Sequence, residues 1–290
     1  MVKYMETYND IYLRVRRALR NADISEPEME AKYIVAKAAD RTREKMLAMG
    51  SIYATDVSIR RKIDEFLERR LRGEPLAYIL GEWDFYGLTV SVNENVLIPR
   101  ADSEILAAEA IKLIKAKAWK TRILDLCTGS GCIGLAIAKN APSSHVVMGD
   151  NSEDALAVCR QNALSCNLTR NTTVIIADAT KSPPTLFGAF DAIVCNPPYI
   201  PTGEIETIDS AVRDYEPRAA LDGGAEGLDY FHAIAEKWSK IVKQGGNIIF
   251  ECGIGQSDDV EHIVKQNGFT NIKVIRDTQG IKRVVTGMKA

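Results

Sequence analysis

The sequence predicts an α/β protein: a small N-terminal helical bundle followed by a doubly wound sheet. Three observations carry that expectation. Residues 1–80 hold apolar residues at helical spacing. From Ala101 onward, short apolar runs alternate with helical segments, the pattern of strands joined by crossover helices. Two of those runs end in turns that carry chemistry, Thr128-Gly129-Ser130-Gly131 and Asn196-Pro197-Pro198-Tyr199.

In the first part, Ile11, Val15, Ala18 and Leu19 share one helical face. Ser25, with Glu28 three residues on, reads as a capping box for a helix carrying Met29, Tyr33, Ile34 and Ala38. Thr42 and Thr55 are the expected caps of the next two helices, the second presenting Ile59, Ile63, Phe66, Leu67 and Leu71. Gly73-Glu74-Pro75 breaks the helical pattern, and residues 81–96 read as a hairpin. The expected domains are therefore a helical bundle over 1–80 that docks a substrate, a β-hairpin linker over 81–100, and a catalytic domain over 101–290. In that last part, strands are expected at 122–127, 145–150, 173–177, 191–195, 247–251, 269–276 and 281–286. Helices are expected from about 101, at 132–139 and at 229–243. Residues 200–226, rich in Gly, Pro and acids, read as a long loop of the kind that often covers a substrate.

Composition narrows the function classes. With 290 residues, 46% hydrophobic and 26% charged, the chain can bury an ample core in about two domains. No apolar run approaches the ~18 residues needed to span a bilayer, and the N-terminus lacks a signal-peptide pattern. No membrane partner is expected. Residues 1–80 hold 16 Lys/Arg against 13 Asp/Glu, a net of +3; the remainder, 21 against 26, nets −5. That balance argues against a tight grip on nucleic acid. The arginine clusters at 14–20 and 69–72 are interleaved with acids and read as solvated helix faces. Six cysteines form no C-x-x-C and only three histidines are present, so no metal site is expected and the thiols read as reduced, in a cytoplasmic protein. A monomer is expected.

The glycine turn reads as a cofactor site. It follows the strand that contains Asp125 and Cys127, and glycine at such a turn lets backbone approach a ligand closely. The full G-x-G-x-x-G pattern is missing, and so is the Lys-Ser/Thr ending of a phosphate loop. S-adenosylmethionine fits better. Asp150, followed by Asn151, ends the next strand where a ribose diol would need an acceptor. Asp178, followed by Ala179, ends the third, placed to meet the adenine amino group. Each acid standing alone reads better as a helix cap or turn residue; their recurrence at successive strand ends favours the cofactor.

The second turn reads as the acceptor site. A planar nitrogen is a poor nucleophile because its lone pair is delocalised, so a site must hold both N–H groups and aim the lone pair. The Asn196 side-chain oxygen and the Pro197 carbonyl can each accept one N–H. Pro197 and Pro198 fix φ and carry no donor, and Tyr199 offers a flat face for stacking.

The chain resembles the release-factor glutamine methyltransferases of the HemK/PrmC type over nearly its whole length. The residues that carry the resemblance are Gly73-Glu74-Pro75-Leu76-Ala77-Tyr78-Ile79-Leu80-Gly81 with Phe85-Tyr86-Gly87, and Leu97-Ile98-Pro99-Arg100-Ala101-Asp102-Ser103-Glu104. Tyr215-Glu216-Pro217-Arg218-Ala219-Ala220-Leu221 with Gly223-Gly224, and Asp277-Thr278-Gln279-Gly280 with Arg283-Val284-Val285, complete them. The resemblance implies a class I S-adenosylmethionine-dependent methyltransferase, Rossmann-like, with a seven-stranded mixed sheet whose closing hairpin inserts an antiparallel strand. It implies methyl transfer to the glutamine amide of the Gly-Gly-Gln motif in peptide chain release factors. By that analogy Asp125, residues 127–131, Asp150, Asn151, Asp178, Ala179 and Asn196 bind the cofactor. Asn196, Pro197, Pro198 and Tyr199 bind the glutamine, with Asn196, Pro197 and Tyr199 catalytic. Two departures stand out: Cys127 replaces the usual Gly, and Ala179 stands where a bulky aromatic often covers the adenine. Three rival readings share these motifs: a glutamine methyltransferase for a ribosomal protein, an amino-methyltransferase for adenine or guanine in nucleic acid, and a binding protein that retains only the fold. The Arg100–Glu104 stretch favours the release-factor branch over the first.

Overall fold

The computed structural model describes residues 6–117 and 119–290, so the first five residues of the expected bundle lie outside it. The chain divides into two compact units, Met1–Gly81 with Ser210–Tyr215, and Glu82–Asp209 with Glu216–Ala290.

The first unit is helical: α1 (Tyr8–Asn21), α2 (Pro27–Ala38), α3 (Arg43–Ala48), α4 (Val57–Leu71) and the short α5 (Leu76–Leu80). Ile11, Val15, Leu19, Ile34, Ile63 and Phe66 bury its core. The capping box occurs at α1, where the Asp10 amide donates to Thr7 Oγ1 and the Thr7 amide donates to Asp10 Oδ2. It does not occur at Ser25–Glu28. There, α2 starts on Glu26 with Pro27 in the first helical position, and no side chain caps the end; a proline removes one of the amides a cap would serve. Thr42 caps α3 as expected, accepting the Lys45 amide at 3.3 Å. The cap of α4 is Asp56 rather than Thr55, accepting the Ser58 amide at 2.8 Å. The arginine clusters pair with the interleaved acids, Arg14 with Asp64, Arg20 with Glu28 and Arg72 with Glu68 on solvated faces, Arg69 with Glu74 half-buried, and only Arg70–Glu30, between α4 and α2, nearly buried.

The second unit opens with a hairpin of β1 (Glu82–Phe85) and β2 (Leu88–Ser91), turned by Tyr86 and Gly87 at φ 48° and 73°. Two positive φ values in a two-residue loop match the twist of antiparallel strands. Then follow α6 (Ser103–Lys115), β3 (Arg122–Leu126), α7 (Cys132–Asn140), β4 (His145–Asp150), α8 (Glu153–Ser165), β5 (Thr172–Ile176) and β6 (Phe190–Cys195). After α9 (Ser210–Tyr215), which groups with the first unit, come α10 (Asp229–Lys237), β7 (Val242–Glu251), α11 (Ser257–Gln266), β8 (Phe269–Arg276) and β9 (Lys282–Lys289). The sheet order is β5-β4-β3-β6-β7-β9-β8. Five strands run parallel, and β9 enters antiparallel between β7 and β8. The expected seven-stranded mixed sheet and closing hairpin are thus present.

Two expectations are corrected. The helix from 229 ends at Lys237 and passes through a 3-10 turn, Trp238–Ile241, so that β7 starts at Val242 and not at 247. Trp238 drives this: its side chain is buried and its indole donates to the Ala179 carbonyl at 3.1 Å. Residues 200–226 are not a structureless loop. They hold 3-10 turns at Thr202–Thr207 and Arg218–Ala220 as well as α9, and the segment closes on itself where Ile200 pairs with Asp222. Within the first unit, the Tyr215 hydroxyl of α9 donates to the Arg72 carbonyl at 3.1 Å.

Candidate active site

Parallel strands on either side of β3 leave a crevice beyond their carboxyl ends, where the chain order reverses. Leu126 is level with Gly149 on one side and Cys195 on the other, so the turns after β3, β4 and β6 meet there. They border a cleft that opens to solvent.

The turn after β3 is shaped by hydrogen bonds and sterics. Asp125 is fully buried and faces away from the cleft. Its Oδ2 accepts the Thr128 hydroxyl and the Gly134 amide, tying the turn to the start of α7. Burial pushes its carboxyl up to about 7, against the pull of those two bonds. Cys127 stands at φ 59°, a left-handed conformation that disfavours a Cβ; the glycine usual at this position would carry no such strain. Gly129, at φ 53°, borders the cleft, and a Cβ there would meet nothing within 4 Å. Gly131, at φ 83°, does not face the cleft: a Cβ on it would lie 2.7 Å from Cys159 Sγ. Its glycine character serves packing against α8, not the ligand approach expected. Thr128 and Ser130 are buried behind the turn.

Asp150 closes β4 with Oδ2 on the Gly129 amide, 2.9 Å, and Oδ1 on the Ser152 amide, 3.0 Å. Each oxygen keeps a lone pair for a diol. Burial raises its pKa against the pull of those amides. Asn151 also borders the cleft. Asp178 does not: its carboxylate accepts from Thr180 and pairs with Lys181 at 3.1 Å, while its neighbours Ala177 and Ala179 form the wall. The cleft also has an aromatic that sequence reasoning missed, Tyr230 at the start of α10, whose hydroxyl burial pushes up to about 12. Nothing in the local sequence singled it out. Also missed were Asn95, Val96 and Leu97, and Pro217, Ala219 and Ala220, although the last three lie in a motif quoted for the resemblance.

In the turn after β6, Asn196 and Pro198 line the cleft, and Pro197 is buried behind them. Asn196 Nδ2 donates to Ser103 Oγ at 3.1 Å, which leaves Oδ1 as the acceptor free to meet a ligand. Tyr199 does not present the stacking face expected: its ring packs against the core, and its hydroxyl donates to Glu251 Oε1 at 3.4 Å. Two segments clasp beside this turn. Glu216 Oε2 accepts the Ile98 amide at 3.1 Å and its other oxygen pairs with Arg100. An acceptor-rich cleft with an acid on one strand end, an open glycine beside it, small apolar walls and an aromatic suits a nucleoside-bearing cofactor such as S-adenosylmethionine.

Comparison with known proteins agrees. Residues 10–81 match the family model described as PrmC N-terminal domain, and residues 103–213 the one described as Methyltransferase small domain. The chain is 40% identical over 231 residues to a release factor glutamine methyltransferase of Thermodesulfovibrio yellowstonii, covering 79% of this chain and 81% of that one. It is 35% identical over 275 residues to one from Caulobacter vibrioides, covering 93% and 92%. A methyltransferase structure from Pyrococcus furiosus, 15% identical, aligns over 78% of this chain and 99% of its own with a TM-score of 0.52, a likeness of fold.

Proposed function

We infer the chemistry of this cleft from one premise: the chain belongs to the release factor glutamine methyltransferase family. It is a class I S-adenosylmethionine-dependent enzyme that methylates the side-chain amide nitrogen of a release factor glutamine. The glutamine of a Gly-Gly-Gln motif is the proposed acceptor. The observation that carries the reading is Asn196: its amide nitrogen is engaged by Ser103, so its oxygen is available in the same cleft that Asp150 and Gly129 border.

When bound, S-adenosylmethionine supplies a methyl group already activated on a sulfonium. Asp150 would hold the ribose diol, Gly129 would let backbone approach, and Ala177, Ala179 and Tyr230 would enclose the adenine. Asn196 Oδ1 would accept one N–H of the glutamine amide and the Pro197 carbonyl the other, turning the nitrogen lone pair toward the methyl. The two prolines keep these acceptors fixed. Catalysis by positioning of this kind needs no strong base, because the methylated amide loses its proton to water. We assign substrate docking to residues 1–80, and propose that the protein acts as a monomer in the cytoplasm, where release factors work. Among the described residues no helix is long and apolar enough to cross a membrane.

Asn196→Ala should lower turnover on a release factor by at least ~10² while changing cofactor affinity little, since alignment is what is lost. Replacing the acceptor glutamine should abolish product. Methyl incorporation into RNA or DNA, with the release factor inert, would overturn the reading.

A further inference from the structure

The last residue of the acceptor turn is gripped by one side-chain amide. Gln256 Nε2 donates to the Tyr199 carbonyl at 2.9 Å and to the Gly227 carbonyl at 3.3 Å, while Gln256 Oε1 accepts the Gly253 amide at 2.9 Å. Both ends of the amide are used, so its direction is fixed: a half-turn would set its oxygen against two carbonyls. Three segments meet on it, the turn after β6, the loop before α10 and the turn after β7. Gln256 occupies the N-cap of α11, but its side chain makes no capping bond. It crosses instead to the turn that carries Asn196.

The backbone around this amide is close-packed. A Cβ on Gly227 would lie 2.3 Å from the Tyr199 carbonyl oxygen and 2.7 Å from Gln256 Nε2. One on Gly223 would lie 2.7 Å from Tyr199 Cα and 2.8 Å from the Pro198 carbonyl oxygen. A side chain at either glycine would push the turn or the glutamine out of place. The peptide that leaves Tyr199 is held on both sides. Its N–H, from Ile200, donates to the Leu221 carbonyl at 3.0 Å, and its carbonyl takes Gln256. The prolines restrict φ within the turn, and these bonds fix how the turn is set against the rest of the sheet end. The Gly227 carbonyl belongs to the loop that leads into Tyr230, the aromatic that borders the cleft.

We propose that Gln256 is a positioning residue for methyl transfer: through the Tyr199 and Gly227 carbonyls it holds the Asn196 turn in register with the Tyr230 side of the cleft. The proposal rests on the reading of that turn as the glutamine site. Gln256 does not line the cleft, so its effect is on alignment, where a misplacement of about 1 Å costs roughly 10² in rate. Asp150 and Gly129, which would hold the ribose side of the cofactor, follow β4 and β3 and share no bond with Gln256. Cofactor affinity is therefore expected to survive its loss.

Two substitutions test the proposal. Gln256→Glu keeps the shape and the acceptor for Gly253 but sets an oxygen against two carbonyls; Gln256→Ala removes the amide without adding charge. With saturating S-adenosylmethionine and a release factor, each should lower kcat about tenfold or more, with release-factor KM and calorimetric cofactor affinity within about threefold of wild type. Full binding stoichiometry in the calorimeter shows that the variants are folded. Added to Asn196→Ala, Gln256→Ala should lower kcat by much less than the product of the single effects, because both act on one alignment; a mere loss of stability would multiply. Independently of any acceptor, the Gln256 side-chain amide in ¹⁵N-glutamine-labelled protein is identified by its loss in Gln256→Ala. The other glutamines, at 161, 244, 266 and 279, are exposed. The Gln256 amide protons should exchange with solvent on the order of tenfold more slowly than theirs. Wild-type kcat in both variants, a loss confined to KM or cofactor affinity, multiplying effects with Asn196→Ala, an amide that exchanges as fast as the exposed ones, or two variants that fail to fold would overturn the proposal. A protected Gln256 amide in an enzyme that leaves release factors unmethylated would sink the glutamine reading alone.

Discussion

Replacing Gly131 by alanine should destabilise the larger unit through two separable effects. Its φ of 83° is left-handed, and a Cβ in that conformation costs about 1–2 kcal/mol. The same Cβ would lie 2.7 Å from Cys159 Sγ and 3.5 Å from both Leu135 Cδ1 and Met148 Sδ. Cys159 is fully buried on α8, with its sulfur 3.8 Å from that of Met148, so it has little room to retreat. Overpacking of this kind costs about 1–3 kcal/mol, and the two effects sum to about 2–5 kcal/mol. Urea unfolding followed by circular dichroism measures the total as a lowered midpoint at unchanged slope. Cys159→Ala in the same background separates the parts. It removes the clash and leaves the backbone strain, so the double variant should be more stable than the sum of the single effects by about 1–3 kcal/mol. A Gly131→Ala protein within about 0.5 kcal/mol of wild type would refute the argument, and so would additivity with Cys159→Ala.

Three further outcomes are expected. Asp150→Ala should weaken S-adenosylmethionine binding by about 2–3 kcal/mol in calorimetry, and Asp150→Asn less, since the amide keeps one acceptor; unchanged affinity in both would move the ribose elsewhere. Asp125 has its carboxyl raised to about 7 from an ordinary 3.8, so its ionised form opposes folding above pH 7, and its protonation adds stability as pH falls from 7 toward 4. Over that interval the wild type should gain stability relative to Asp125→Asn, and parallel pH profiles in urea unfolding would contradict this. Glu216→Ala strips the Ile98 amide and Arg100 of their partner; a loss of about 1–3 kcal/mol is expected, read as a lower thermal midpoint, and no change would mean that the clasp adds nothing.

Much of this protein was legible in the residue order because the signals were local. Strand ends at Asp150 and Cys195, the turn at Asn196 and the terminal hairpin all follow from apolar runs broken by Gly, Pro, Asn and Asp, which act on the backbone within a few residues. Caps were less secure, since Pro27 and Asp56 each shifted a helix start that its neighbours also signalled. Other features depend on what lies across the fold. Tyr230 and Ser103 are far from Asn196 in the chain, and parallel strands with crossover helices bring the first to the cleft and the second against the asparagine amide. Direction was equally hidden: sequence marks Asp178, Gly131 and Tyr199 as site residues, but packing turns the first to Lys181, uses the second against Cys159 and binds the third to Glu251. Local sequence therefore determined which turns exist and what chemistry they can perform. The tertiary structure alone decided which of their groups face the cleft, because side-chain direction and burial are set by neighbours distant in sequence.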